Sequence, residues 1–207
     1  MRQHVNPLSN HFKIFHPIPP LEIIFNNPSR PLHIDIGCAS GSFLFELASQ
    51  NKDWNYLGIE IREKLILNAK LKLDNSRLDN LSFFYGNADY LIKSSINQFP
   101  IDVVKSISFN FPDPWFKKKH HKRRVLQPDL LNHITKIMTK NALLYIKSDV
   151  KELFDYMNLV ILNSSSFEKY ENEFNTLFNP HNIKTERETY AISKNLPIYE
   201  QIYKKYQ

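Results

Sequence analysis

Leu32-His33-Ile34-Asp35-Ile36-Gly37-Cys38-Ala39-Ser40-Gly41 is the stretch that decides how this chain folds. A short apolar run ends around Asp35 and a glycine turn follows. Phe43, Leu44, Leu47 and Ala48 then recur at helical spacing. Strand, glycine turn and helix in that order make the opening unit of a nucleoside-binding α/β sheet. The 207 residues hold only four glycines, Gly37, Gly41, Gly58 and Gly86, and each follows or ends an apolar run. Glycine admits positive φ and close approach of a ligand to backbone, so this concentration predicts strand-end loops built around a ligand. Glu60 closes the next apolar run, 19 residues after Gly41. An acidic side chain at about that separation holds ribose hydroxyls in such folds.

Working outward, apolar runs at about 32–37, 55–61, 81–86, 101–111 and 142–148 read as strands. Between them, 42–51, 63–75, 88–96, 127–139 and 150–163 read as helices, the fourth on the spacing of Leu130, Leu131, Ile134, Ile137 and Met138. Alternating units of this kind predict a doubly wound, mostly parallel α/β sheet with helices on both faces. Phe167–Phe174 and Ile198–Tyr203 read as strands with no helix-length pattern cleanly between them, an antiparallel edge near the C-terminus. Residues 1–30, with Pro7, Pro17, Pro19, Pro20 and Pro28, read as an irregular arm packed on one domain spanning 1–207.

Cys38 is the sole cysteine, which excludes an intrachain disulfide. No apolar run is long enough for a signal peptide or a membrane span, so the expectation is a cytoplasmic protein. Lys and Arg number 27 against 21 acidic residues, a net charge of +6. Lys117-Lys118-Lys119-His120-His121-Lys122-Arg123-Arg124 carries six of these cations in eight positions. The excess is one local feature, and a concentrated basic loop points to a polyanion such as nucleic acid.

The glycines of the first turn are spaced G-x-x-x-G, which disfavours a dinucleotide, whose pyrophosphate needs backbone closed around it at a helix N-terminus. S-adenosylmethionine carries an ammonium and a sulfonium and no phosphate, and Asp35, Gly37, Gly41 and Glu60 suit it better. Asn87 follows the third strand, where its amide pairs with an adenine edge or caps the next helix. Pro112 and Pro114 stiffen the backbone on both sides of Asp113 at the end of the fourth strand. A fixed carboxylate beside Trp115 and Phe116 is a way to hold a nucleobase by its edge and its face.

Phe111-Pro112-Asp113-Pro114-Trp115-Phe116-Lys117-Lys118-Lys119-His120-His121-Lys122-Arg123-Arg124 closely resembles the signature F-P-D-P-W-x-K-x-x-H-x-K-R-R of the tRNA (guanine-N7-)-methyltransferases. Asp35-Ile36-Gly37, Leu57-Gly58-Ile59-Glu60 and Ser148-Asp149 fall in that family's order, so the resemblance extends over most of the chain. It implies a class I, Rossmann-like fold with a seven-stranded sheet whose last strand is antiparallel. It implies methyl transfer from S-adenosylmethionine to N7 of a guanosine in the tRNA variable loop, conventionally position 46. By resemblance, Asp35, Glu60, Asn87 and Asp113 line the cofactor pocket, with Asp113 also catalytic. Lys117, Asp149, Thr185 and Glu188 contact the substrate, and Lys122, Arg123 and Arg124 are the expected tRNA phosphate contacts. Two positions depart from the pattern. Asn87 stands where the family commonly has Asp, and Arg187 replaces the aromatic of T-x-F/Y-E in Thr185-Glu186-Arg187-Glu188.

Guanine N7 already carries an in-plane lone pair, so the expected catalysis is alignment, with no base needed to remove a proton. No metal and no membrane are expected, and the chain is read as a monomer or homodimer. Three rivals remain open at this point. They are a methyltransferase for another RNA or a small molecule, a nicotinamide-dependent oxidoreductase, and a non-catalytic RNA-binding protein.

Overall fold

The structure is a computed structural model that describes residues 5–13, 17–170 and 183–206. Its seven strands are β1 (Leu32–Ile36), β2 (Asn55–Glu60), β3 (Leu81–Tyr85), β4 (Val104–Asn110), β5 (Met138–Ser148), β6 (Phe167–Lys169) and β7 (Tyr199–Lys205). They lie in the order β3-β2-β1-β4-β5-β7-β6. Pairs among β1 to β5 are parallel, and β7 runs antiparallel to both β5 and β6. The α-helices are α1 (Leu21–Ile24), α2 (Ser42–Gln50), α3 (Glu63–Asp74), α4 (Ala88–Ser95), α5 (Pro128–Ile137), α6 (Lys151–Leu162) and α7 (Glu186–Ser193). This is the doubly wound sheet with an antiparallel edge that the alternation predicts.

Successive strand side chains point to opposite faces, so odd and even positions build different layers. Leu32, Ile34 and Ile36 of β1, Leu57 and Ile59 of β2, and Ile107 and Phe109 of β4 pack in one core with α4, α5 and α6. Tyr56 on the other face belongs to a second core with Phe43, Leu44 and Leu47 of α2, Ile66 of α3 and Ile183. The centre of that second face is polar: His33 and Asp35 on β1 sit beside Ser106 and Ser108 on β4, all at most 2 % exposed.

Gly58 corrects one expectation. It lies inside β2 rather than in a strand-end loop, and a Cβ there would sit 2.7 Å from Cys38 Sγ and 2.7 Å from Phe83 Cδ1. Its role is to let α2 and Phe83 close on the strand. Gly41 is the left-handed residue, at φ 77°, that turns the chain into α2.

Three boundaries also differ. The arm is less peripheral than its prolines suggest: Ile18, Leu21 and Phe25 are buried in the first core, and Ile18 N donates to Ser95 Oγ at 2.7 Å. Helix α5 stops at Ile137, because Met138 already pairs with Val104 as the first residue of β5. Within the stretch read as strand only, α7 forms before β7, and residues 171–174 of the expected strand at 167–174 lie outside the described residues.

Filling the Gly58 site tests this packing. Gly58→Ala has no backbone penalty to meet, so its cost is overpacking, about 1–3 kcal/mol. Thermal unfolding should show a melting temperature lower by several degrees; an unchanged one would mean that the layer has slack.

Candidate functional site

The carboxyl ends of β1, β2 and β4 surround a cavity of about 500 Å³. It opens where the strand order reverses, with β2 on one side of β1 and β4 on the other, which is where ligands bind in open α/β sheets. Gly37, Glu60, Asn87 and Asp113 line it, so four of the sequence-predicted cofactor residues converge. Gly41 is absent from the lining and packs against the Phe83 ring. Asp35 lies just behind the lining, one residue before Ile36.

Glu60 is 3 % exposed and its two oxygens are fully subscribed. Oε1 accepts from Arg62 N and Arg62 Nε, both at 3.0 Å, while Oε2 accepts from Ala39 N at 3.0 Å and Arg62 Nη2 at 2.9 Å. A carboxylate offers about four lone-pair positions, so a ribose diol can enter only where the Arg62 side chain leaves. That side chain holds one position on each oxygen, and a diol has one hydroxyl for each. The hydrogen bonds to Glu60 push the Arg62 pKa up, and the charges of Glu60 and Asp113 add to the rise. Sequence reasoning missed Arg62, whose extended backbone after β2 gives no local sign that its side chain turns back to Glu60.

Asp35 accepts from Ser108 Oγ at 2.6 Å and from Asn110 Nδ2 at 3.1 Å, both on Oδ1. Burial pushes its pKa up to about 6 against the pull of those two hydrogen bonds, and the nearby Glu60 charge adds to the rise. The carboxylate is therefore held in a poorly solvated place where a cation would be welcome. Alternation of Ser106, Ser108 and Asn110 with Ile107 and Phe109 is the available sequence signal for these partners, within a run read simply as an apolar strand.

Asn87 does cap α4: its Oδ1 accepts from Asp89 N at 3.0 Å. Its Nδ2 donates to Pro7 O at 3.1 Å, so the N-terminal arm reaches the cavity, where Val5, Pro7 and Leu8 form part of the wall. His11 Nε2 lies 2.9 Å from Tyr85 Oη and holds the arm to the end of β3.

The loop after β4 is stiffer than a surface turn. Phe111 and Trp115 have φ of 50° and 46°, and Phe111 N donates to Lys147 O at 2.9 Å. Lys118–Arg123 then forms a short 3-10 helix. Lys117, Lys118, Lys119 and Lys122 are exposed, and Phe116 is 68 % exposed beside them. Lys122 and Arg123 line the cavity mouth, with the Arg123 guanidinium 5.1 Å from the Trp115 ring centre. Arg124 departs from the expected phosphate contact. It is 3 % exposed, donates to Pro114 O at 2.9 Å and to Glu152 Oε1 at 2.6 Å, and lies over Tyr156. Its burial assigns it to holding the loop.

The C-terminal carry-overs are also engaged within the protein. Thr185 caps α7 by accepting from Glu188 N at 3.1 Å. Glu188 is 7 % exposed and pairs with the buried Lys147 at 3.1 Å. Asp149 is paired with Arg187, the residue that replaces the family's aromatic. Glu186 accepts from Ser40 and Ser42 beside the first glycine turn. Neither Thr185, Glu188, Asp149 nor Lys117 lines the cavity. Among the described residues no cluster of His, Cys, Asp and Glu has the form of a metal site, and no helix is long and apolar enough to cross a membrane.

Comparison with known proteins agrees with this architecture. The chain is similar in fold to a 16S rRNA methyltransferase, KamB, with a TM-score of 0.60 at 11% identity over 90% of this chain and 91% of that one. It is similar also to an rRNA methylase from Streptococcus thermophilus, with a TM-score of 0.53 at 14% identity over 90% and 92%. A protein-family model described as "Putative methyltransferase" matches residues 29–201. A tRNA (guanine-N(7)-)-methyltransferase of Prochlorococcus marinus subsp. pastoris (strain CCMP1986 / NIES-2087 / MED4) is 57% identical over 99% of this chain and 100% of its own length. Its namesake from Prochlorococcus marinus strain MIT 9313 is 41% identical over 99% and 88%. With acids and a glycine turn at the strand ends, a basic loop at the same mouth, and these relatives along nearly its whole length, the chain belongs to the tRNA (guanine-N7-)-methyltransferase family.

Proposed function

We propose that this protein transfers a methyl group from S-adenosylmethionine to N7 of a tRNA guanosine, at position 46 in the variable loop. The observation that carries the reading is one cavity with two chemistries. The acidic groups Glu60 and Asp113 line it with Asp35 buried just behind the wall, and Lys122 and Arg123 belong to the same lining. A small cationic cofactor suits the first set and a polyanion the second.

Asp35, Gly37, Glu60 and Asn87 are the residues that would hold S-adenosylmethionine, which when bound supplies an electrophilic methyl group. Asp35 would meet its cationic end, Glu60 its ribose once Arg62 moves aside, and the start of α4 its adenine. Asp113, half-buried in the wall and braced by two prolines, would hold the guanine edge and offset the positive charge that the ring gains on methylation. No side chain need remove a proton, so alignment carries the rate. Lys122 and Arg123, with the exposed Lys117, Lys118 and Lys119 beside them, would hold phosphates and contribute affinity more than base choice.

Incubation with unmodified tRNA and methyl-labelled cofactor, followed by mapping of the labelled nucleoside, tests this. Label on guanosine N7 at position 46 is the expected result; label on another atom or another nucleotide overturns it.

Asp35→Asn should separate stability from function. Burial holds the folded-state pKa above the ordinary carboxylate value of 3.8, so the carboxyl group stabilises the fold below that value and this contribution is lost as pH rises through about 6. Asparagine keeps the acceptor for Ser108 and Asn110 without the charge. The variant should melt higher than wild type near neutral pH, by on the order of 1–2 kcal/mol, with the gain vanishing below about pH 4. Cofactor affinity should fall in the same variant. A melt that drops at neutral pH would contradict the cost assigned to Asp35.

The cations should divide into two classes. Replacing Lys118, Lys119 and Lys122 with alanine should flatten the salt dependence of tRNA binding by about 0.7–0.9 per lost phosphate contact and leave the melt unchanged. Arg124→Ala should instead lower stability by about 2 kcal/mol, since Pro114 O loses a charged donor in the interior. Equal salt slopes for the lysine variant and wild type would reduce the loop to solvated surface.

A further inference from the structure

Beneath the cavity, the polar side chains of β1 and β4 form one connected path. Ser106 Oγ lies 2.6 Å from His33 Nδ1, His33 Nε2 lies 3.1 Å from Ser108 Oγ, and Ser108 Oγ lies 2.6 Å from Asp35 Oδ1. His33 and Ser106 face each other in the strand register, as do Asp35 and Ser108. All four are nearly inaccessible, from 0 % for His33 to 2 % for Asp35. A buried histidine away from the lining has no part in methyl transfer, yet its ring is two hydrogen bonds from the carboxylate.

Proton counting gives the path a direction. An ionised carboxylate only accepts, so the single Ser108 proton goes to Asp35. Ser108 Oγ must then accept from His33, which puts the ring proton on Nε2. Nδ1 is left with a lone pair, and Ser106 donates to it. Every proton has one place, and every donor points toward Asp35. Burial holds His33 neutral, with its pKa lowered to about 3, as this arrangement requires. Chains of aligned donors polarise one another and strengthen the last bond. Both bonds from β4 fall on Oδ1, and Oδ2 accepts no hydrogen bond among the described residues.

We propose that His33, Ser106 and Ser108 are positioning residues that fix Asp35 through Oδ1 and keep it ionised, presenting Oδ2 to the cofactor's ammonium group. The assignment rests on the reading above, in which Asp35 meets the cationic end of S-adenosylmethionine. The other groups facing Asp35 are Glu60 from β2, itself clamped by Arg62, and the Cys38 thiol in the turn; Ser108 and Asn110 from β4 are uncharged. Glu60 works against ionisation of Asp35, so the donor chain is the counterweight.

The test is the dissociation constant of S-adenosylhomocysteine, which keeps the ammonium group, measured by calorimetry between about pH 5.5 and 8.5. Wild type should bind evenly at the alkaline end and weaken as pH falls through about 6. Ser108→Ala removes the last donor, so its weakening should begin at higher pH. Its affinity should be about tenfold below wild type near pH 6.5 and within about threefold near pH 8.5. Ser108→Thr, which keeps the hydroxyl, should follow wild type. A ratio between Ser108→Ala and wild type that stays constant with pH, or no difference at all, overturns the proposal while leaving the cofactor reading intact. Failure of wild type to bind, or unchanged binding by Asp35→Asn, overturns the cofactor reading and the proposal together. Wild-type protein also carries a test that needs no variant. Nitrogen-15 shifts near pH 8 should show His33 as the neutral Nε2–H tautomer, and an Nδ1–H tautomer or an imidazolium sinks the chain as drawn.

Discussion

The site depends on one buried guanidinium. Arg124 is sealed from solvent and spends its donors on a backbone carbonyl of the Pro112-Asp113-Pro114 turn and on Glu152 at the start of α6. Taking a cation out of water is unfavourable unless each donor finds an acceptor, so the loop, α6 and the Tyr156 ring must meet in one arrangement. That requirement fixes where β4 delivers Asp113. It also leaves the neighbouring lysines outside, because Arg124 is the residue of the basic run that is buried. A run that reads as uniform charge is thus an anchor followed backwards by a contact surface.

The sheet makes a similar division between its faces. Isoleucine and leucine on one side of β1, β2 and β4 form an apolar core, while the other side of β1 and β4 carries buried hydroxyls, an imidazole and a carboxylate. Burying these polar groups is tolerable because they bond to one another across a parallel register that sets their spacing. The same register carries them upward to the cavity floor, so strand pairing and ligand chemistry are parts of one construction.

Much of this was legible in the sequence because the deciding residues are local. Strand periodicity, the glycine turn at Gly37 and Gly41, the acid at Glu60 and the Phe111–Arg124 stretch each declare themselves within a few positions. What stayed hidden is pairwise. No spacing rule shows that Arg62 folds back onto Glu60, that His33 meets Ser106 73 residues away, or that Arg187 finds Asp149. Helix α7 escaped for a related reason: it is short, and its first turn is organised by partners on other elements, Ser40, Ser42, Lys147 and Asp149. Gly58 was misjudged because glycine marks tight packing as well as turns, and only the neighbours Cys38 and Phe83 distinguish the two.

The left-handed backbone at Phe111 and Trp115 has a consequence for motion. An aromatic residue with a Cβ in that region stores roughly 1–2 kcal/mol, and here two such residues bracket two prolines. The prolines deny the segment most of the conformations into which it could relax, so the strain persists as long as Arg124 and the Phe111 amide hold their partners. Once either hold is lost, the whole turn has reason to spring open together rather than fray residue by residue. Local opening at the carboxyl end of β4 is therefore a cooperative event, and amide exchange from residues 111–125 would report it before the strands themselves unfold.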